Sequence, residues 1–159
     1  MGSMKPIQTS TECEFEGRFI GLTLKFQCLD SYGKTIKGKF LKIFLASVYH
    51  PYEEPETARF NNELNTILNS VPTNAEIIIG SDVNAKVGRR DCEENKRVLG
   101  PFGLDDRNEK GKDLLQIYMT NDMRVSNTFF DHSSRVTYES FNKDKIKSMH
   151  DICHVCGST

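Results

Sequence analysis

The sequence predicts an α/β domain, a mixed and mostly antiparallel sheet with flanking helices, on three observations. Apolar and polar residues roughly alternate over 18–27, apolar residues run more continuously over 39–49, and Glu76 to Asp82 forms a short apolar block. All three patterns suit strands. Thr57 to Leu68 and the stretch from Asn108 to about Thr120 instead place apolar residues at helical spacing. Helices interleaved with strands in the order ββαβαβββ favour a layered sandwich over a doubly wound parallel sheet.

Each element has its own signal. Arg18 to Gln27 reads as a strand with one face on the core, and Asp30, Ser31 and Gly33 form a turn behind it. Lys39 to Tyr49 is a second strand, antiparallel to the first. Pro51 and Pro55 end it and frame a loop, after which Phe60, Leu64, Ile67 and Leu68 mark the buried face of a helix. Glu76 to Asp82 reads as a strand covered on both faces. Ala85 to Leu104, rich in charge and glycine, is a long loop of the kind that carries function in compact domains. Asn108 caps a helix whose buried face includes Leu114, Leu115, Tyr118 and Met119. Short strands are expected at Met123 to Asn127, Arg135 to Glu139 and His150 to Cys156.

Composition narrows the function. The chain has 159 residues, one domain's worth, and buries roughly 70% of the surface its unfolded form exposes. With 21 Lys and Arg against 22 Asp and Glu there is no bulk positive field, so a nucleic-acid partner must be held by local patches. Met1 to Thr11 is polar and is expected to be disordered or tag-derived, with the domain spanning 12–159. No apolar stretch is long enough to span a bilayer, and 5 cysteines without a secretory signal read as reduced thiols of an intracellular protein, nuclear or cytoplasmic.

The sharpest local pattern is Ile77-Ile78-Ile79-Gly80-Ser81-Asp82-Val83-Asn84. A strand that stops at a carboxylate and an amide two positions on presents both at a strand end, where open sites of α/β proteins form. There a carboxylate can take a proton from attacking water and an amide can hold a phosphate oxygen. Asp-x-Asn at a strand end is also a common turn former.

Gly80-Ser81-Asp82-Val83-Asn84-Ala85 followed by Lys86-Val87-Gly88 resembles the G-D-F-N-A-x-x-G stretch of the endonuclease/exonuclease/phosphatase superfamily. Three further segments resemble the version in non-LTR retrotransposons of the RTE type and their domesticated relatives. These are Gly100-Pro101-Phe102-Gly103-Leu104, then Arg107-Asn108-Glu109-Lys110-Gly111, then Val125-Ser126-Asn127-Thr128-Phe129. The resemblance covers about Phe40 to Val155 and implies a partial four-layer α/β sandwich of DNase I-like type. It implies a magnesium- or manganese-dependent phosphodiesterase acting on DNA, and gives four residues catalytic roles. Asp82 matches the carboxylate that activates water, Asn84 the amide on the scissile phosphate, and Tyr49 a strand-end hydroxyl that donates to it. Asp151, in Met149-His150-Asp151-Ile152, matches the aspartate that orients a histidine. Without the resemblance Tyr49 is an ordinary strand-end aromatic with a wet hydroxyl.

The family's metal-ligand glutamate belongs before the first recognisable strand and its Ser-Asp-His motif after the last, and neither falls in this chain. The ligand set for the cation is therefore incomplete, with no metal ligand assigned, and a truncated domain, weak or inactive alone, is expected. The alternative is a non-catalytic remnant or interaction module. Lys86, Arg89, Arg90, Arg107 and Asn127 are candidate nucleic-acid contacts, although a charged loop is more often a solvated face and Arg107-Asn108 also reads as a plain helix start. His150, Cys153, His154 and Cys156 have partial zinc-ligand spacing but lack a second pair at finger spacing. Missing outer strands would leave sheet edges and apolar surface for self-association.

Overall fold

The computed structural model describes residues 4–15, 17–93, 95–103, 106–131 and 151–156, with the two outer strands described by backbone alone. Five strands form one sheet in the order β1-β2-β3-β4-β5. They are β1 (Met4–Phe15), β2 (Phe19–Leu29), β3 (Thr35–Tyr49), β4 (Ala75–Asp82) and β5 (Asp151–Cys156). Neighbours run antiparallel except β3 and β4, which are parallel and joined by helix α1 (Glu56–Ser70). Helix α2 (Glu109–Thr120) and a 3-10 turn, Ser126–Phe129, follow β4.

The β2–β3 hairpin forms where expected. Asp30 Oδ1 accepts hydrogen bonds from the Tyr32 and Lys34 amides at 2.9 and 2.8 Å, which closes the turn by satisfying its backbone donors. Along β3, Phe44, Ala46 and Val48 are buried and the residues between them are exposed, so one sheet face holds the core. Ile77 and Ile79 of β4 and Phe60, Leu64, Ile67 and Leu68 of α1 belong to the same cluster. The helical spacing read from sequence is thus the face that packs. Leu114, Leu115 and Tyr118 of α2 join it, whereas Met119 is 42% exposed and is not part of the buried face.

The other sheet face is less covered. Ile20 and Leu45 are 55% and 40% exposed, and Leu22, Leu24, Ile43 and Ile78 are only half-buried. The expectation that β4 is covered on both faces therefore holds for its Ile77 and Ile79 face alone. Residues 4–11, expected to lack structure, lie in β1 and pair with β2. A polar edge strand needs no apolar alternation when a hairpin supplies its register, and Gly17, at φ 67°, sits in the connecting turn. Met123 to Asn127 is not a strand. Val125 makes one parallel bridge with Leu99, and the chain then enters the 3-10 turn, while Met123 and Val125 are buried in the same core cluster as β3 and β4. The strand expected at Arg135 to Glu139 lies outside the described residues.

Candidate functional site

Because β3 and β4 run parallel they end together, and Tyr49 pairs with Asp82. Because β5 runs antiparallel to β4, Asp151 pairs with Asp82 from the other side. Residues paired across strands share a sheet face with Cβ atoms roughly 5 Å apart. Three of the four expected catalytic residues thus form one row at the end of the sheet, with Asp151 placed by backbone register. Tyr49 is half-exposed and Asp82 half-buried.

Asn84 lies at the same end, in the left-handed conformation at φ 45° that asparagine tolerates better than most residues. Its Nδ2 donates to the His50 carbonyl at 2.9 Å, and the His50 amide donates to the Asp82 carbonyl at 2.9 Å. These bonds lock the segments leaving β3 and β4 to each other. One of the two amide hydrogens of Asn84 is spent on this strap and the second remains to reach a ligand.

Arg18 is a member of the row that the sequence does not reveal. Its carbonyl accepts the Tyr49 amide at 2.7 Å, one step beyond the Phe19 and Val48 pair, and its guanidinium lies 5.6 Å from the centroid of the Tyr49 ring. Arginine ahead of an alternating strand reads as a solvated flank, and only the strand register puts it beside Tyr49.

Comparison with known proteins bears on the fold. No family model matches the chain. Craniofacial development protein 2 of Bos taurus is 34% identical over 105 residues, 64% of this chain and 17% of the relative. Its counterpart from Tragulus javanicus is 32% identical over 117 residues, 74% of this chain and 19% of the relative. Among solved structures, the endonuclease domain of TRAS1, a telomere-specific non-LTR retrotransposon, aligns with a TM-score of 0.54 at 13% identity, over 88% of this chain and 50% of that one. The chain is similar in sequence to craniofacial development protein 2, and its fold is DNase I-like. It spans less than a fifth of the curated relatives and half of the TRAS1 domain.

The segments around Gly88, Gly100, Gly103 and Gly111 are largely places where backbone meets backbone. A Cβ on Gly111 would stand 1.8 Å from the Lys86 carbonyl oxygen, so α2 touches the loop that leaves Asn84. Asn108 joins the two, its Oδ1 accepting from the Gly111 amide at 2.9 Å and from the Lys86 amide at 3.0 Å. Gly100 lies so close to the Thr128 carbonyl that a side chain would meet it at 2.1 Å, and Thr128 Oγ1 accepts the Gly100 amide at 2.7 Å. Two segments apart in sequence, 100–103 and 125–130, therefore form one packed unit. Beneath the site, the buried Tyr118 hydroxyl hydrogen-bonds with Ser81, one residue before Asp82. Burial pushes the Tyr118 phenol well above its ordinary value, and the Ser81 contact opposes that rise.

The loop cations divide by the company they keep. Arg107 donates from Nε to the Val87 carbonyl at 2.8 Å and from Nη2 to the Arg89 carbonyl at 3.1 Å, and grips Asp91 with both Nη atoms at 3.1 Å. It staples the 87–91 loop. That hydrogen bond, joined by one from Asn95, holds the exposed Asp91 carboxyl below its ordinary range. Arg89 and Arg90 are exposed, Lys86 is half-buried, and Asn127 sits half-buried in the 3-10 turn, which lies against β5. Cys153, His154 and Cys156 fall on β5 and His150 outside the described residues.

A divalent cation fits poorly on the described residues. No group of three or more His, Cys, Asp or Glu side chains is assembled among them. A groove of about 320 Å³ between α1 and α2, lined by Asn61, Asn65, Asp113 and Gln116 among others, belongs to the helix layer rather than to the row. Among the described residues no helix is long and apolar enough to cross a membrane.

Proposed function

We propose that the row formed by Tyr49, Asp82 and Asp151 is a site for the phosphodiester of DNA, at which Asp82 acts as proton acceptor for water. The observation that carries this is the register, which sets Asp82 between Tyr49 and Asp151 at one sheet end. The Tyr49 hydroxyl and the second amide hydrogen of Asn84 donate to the phosphate, and Asp151 orients whatever group approaches from its side. Arg89, Arg90 and Lys86, on the loop leaving the site, supply backbone contacts that fix position without reading sequence. Mg²⁺ or Mn²⁺ is the expected cofactor, and no ligand for it is assigned among the described residues.

The test is cleavage of DNA with Mg²⁺ by wild type and by Asp82→Asn. A general base contributes about 10² to 10⁴ in rate, so the variant should lose at least about a hundredfold. Equal cleavage by both would overturn the assignment. The shortage of described metal ligands favours a second reading, a non-catalytic module that binds nucleic acid or protein through the retained fold; DNA binding without cleavage by wild type would select it.

A further inference from the structure

Resting on the phosphodiester reading of the row, we propose that Arg18 is the cation that binds the phosphate over Tyr49, and that Glu56 holds it in place. Arg18 Nε and Nη2 both approach Glu56 Oε1 at 3.1 Å. A planar guanidinium has five donors, of which Nε donates to this carboxylate oxygen while Nη2 lies within ion-pair distance of it. Glu56 opens α1, directly behind the loop that leaves β3, so the carboxylate reaches Arg18 from outside the row. The Tyr49 ring, 5.6 Å below the guanidinium carbon, fixes a second direction.

An ordinary surface ion pair would show none of this convergence. The Arg18 side chain is 27% exposed, held by a carboxylate on one flank and a ring on another, with its carbonyl bonded to Tyr49. Its rotamer freedom is therefore spent before any ligand arrives. Row positions lie roughly 5 Å apart, so the order Arg18, Tyr49, Asp82 spans about 10 Å. A diester seated over Tyr49 meets a fork of donors on one side and the proton acceptor on the other. Arginine suits that post because its fork matches two phosphate oxygens at once.

The measurement is the salt dependence of binding to a short single-stranded DNA, by fluorescence anisotropy without divalent metal. Neutralising one phosphate contact lowers the slope of log K against log salt by about 0.7 for single strands. Arg18→Gln should lose that much slope, Arg18→Lys should retain it, and Glu56→Gln should weaken binding about two- to fivefold by freeing the Arg18 side chain, while binding as tight as wild type or tighter in that variant overturns the positioning role of Glu56. Lys37→Gln, an exposed cation at the far end of the hairpin, should leave the slope unchanged. Asp82→Asn should tighten binding, because it removes a negative charge beside the phosphate.

A slope unchanged in Arg18→Gln, with Asp82→Asn still tightening, overturns the role of Arg18 and leaves the phosphodiester site standing. Absence of saturable binding by wild type overturns both.

Discussion

Gly111→Ala sets two physical effects against each other. Glycine inside a helix is less favourable than alanine by about 1 kcal/mol, so propensity alone predicts stabilisation. The contact with the loop predicts the reverse. An alanine Cβ would lie 1.8 Å from the Lys86 oxygen, 2.5 Å from its carbonyl carbon and 3.1 Å from the Val87 nitrogen, all backbone atoms that no rotamer change can move. Relief requires α2 to retreat by about 1 Å or more, since protein interiors are close-packed. Overpacking of this kind costs about 1 to 3 kcal/mol. Retreat also breaks the Asn108 amide's bond to the Lys86 carbonyl, 3.2 Å, and the Lys86 amide's bond to Asn108 Oδ1, 3.0 Å, at about 1 kcal/mol each. The net expectation is a loss of about 2 to 4 kcal/mol. Urea unfolding followed by circular dichroism should show the midpoint falling by about 1 to 2 M, with a slope of about 2 kcal/mol/M. A midpoint equal to or above wild type would refute the close approach of α2 to the 86–87 loop.

Further expectations follow from the same geometry. Asn108→Ala should cost about 1 to 2 kcal/mol, because it strips the Gly111 amide of its cap and the Lys86 amide of its acceptor, while Asn108→Asp should retain most stability in the same urea assay. Tyr118, raised from an ordinary value near 10, should make the fold weaken as pH climbs above 10, where the unfolded chain ionises and the folded one does not; the slope is about 1.4 kcal/mol per pH unit, and Tyr118→Phe should flatten it in alkaline denaturation curves. Asp91 is shifted the other way, so its pair with Arg107 is present above the ordinary carboxylate range and lost as pH falls through the depressed value. NMR titration should find Asp91 below 3.8 in wild type and back near it in Arg107→Gln. We further expect the uncovered sheet face to drive self-association, so that sedimentation shows concentration-dependent growth in mass that Leu45→Glu suppresses; an unchanged profile in the variant would place the contact elsewhere.

Much of the fold was legible because burial leaves a periodic trace. Phe60, Leu64, Ile67 and Leu68 could only share a helix face, and Asn108 is the cap that its position ahead of an apolar run suggests. Asp82 stood out because it ends an isoleucine run. What escaped the sequence was set by pairing rather than by local preference. The polar strand β1 has no apolar rhythm to betray it, and its register comes from β2. Met123 and Val125 mimic strand alternation because both are core residues, while the backbone there makes only one bridge, to Leu99. Met119 has the character of a core residue, but its helix has turned it toward solvent. Arg18 differs from any flanking arginine only through the Phe19 and Val48 pairing, which carries it to Tyr49. Arg107 reads locally as a helix start or phosphate contact, and its grip on carbonyls at 87 and 89 depends on a loop path that no periodicity encodes.

The central claim is that one sheet end gathers Tyr49, Asp82 and Asp151 into a phosphodiester site. Backbone amide shifts followed by ¹H–¹⁵N NMR during titration with a short oligonucleotide test it most directly. The largest changes should fall on 49–50, 82–84 and 151–152, with the α1 and α2 groove around Asn61 and Gln116 unmoved. Changes centred on that groove, with those three segments silent, would contradict the account.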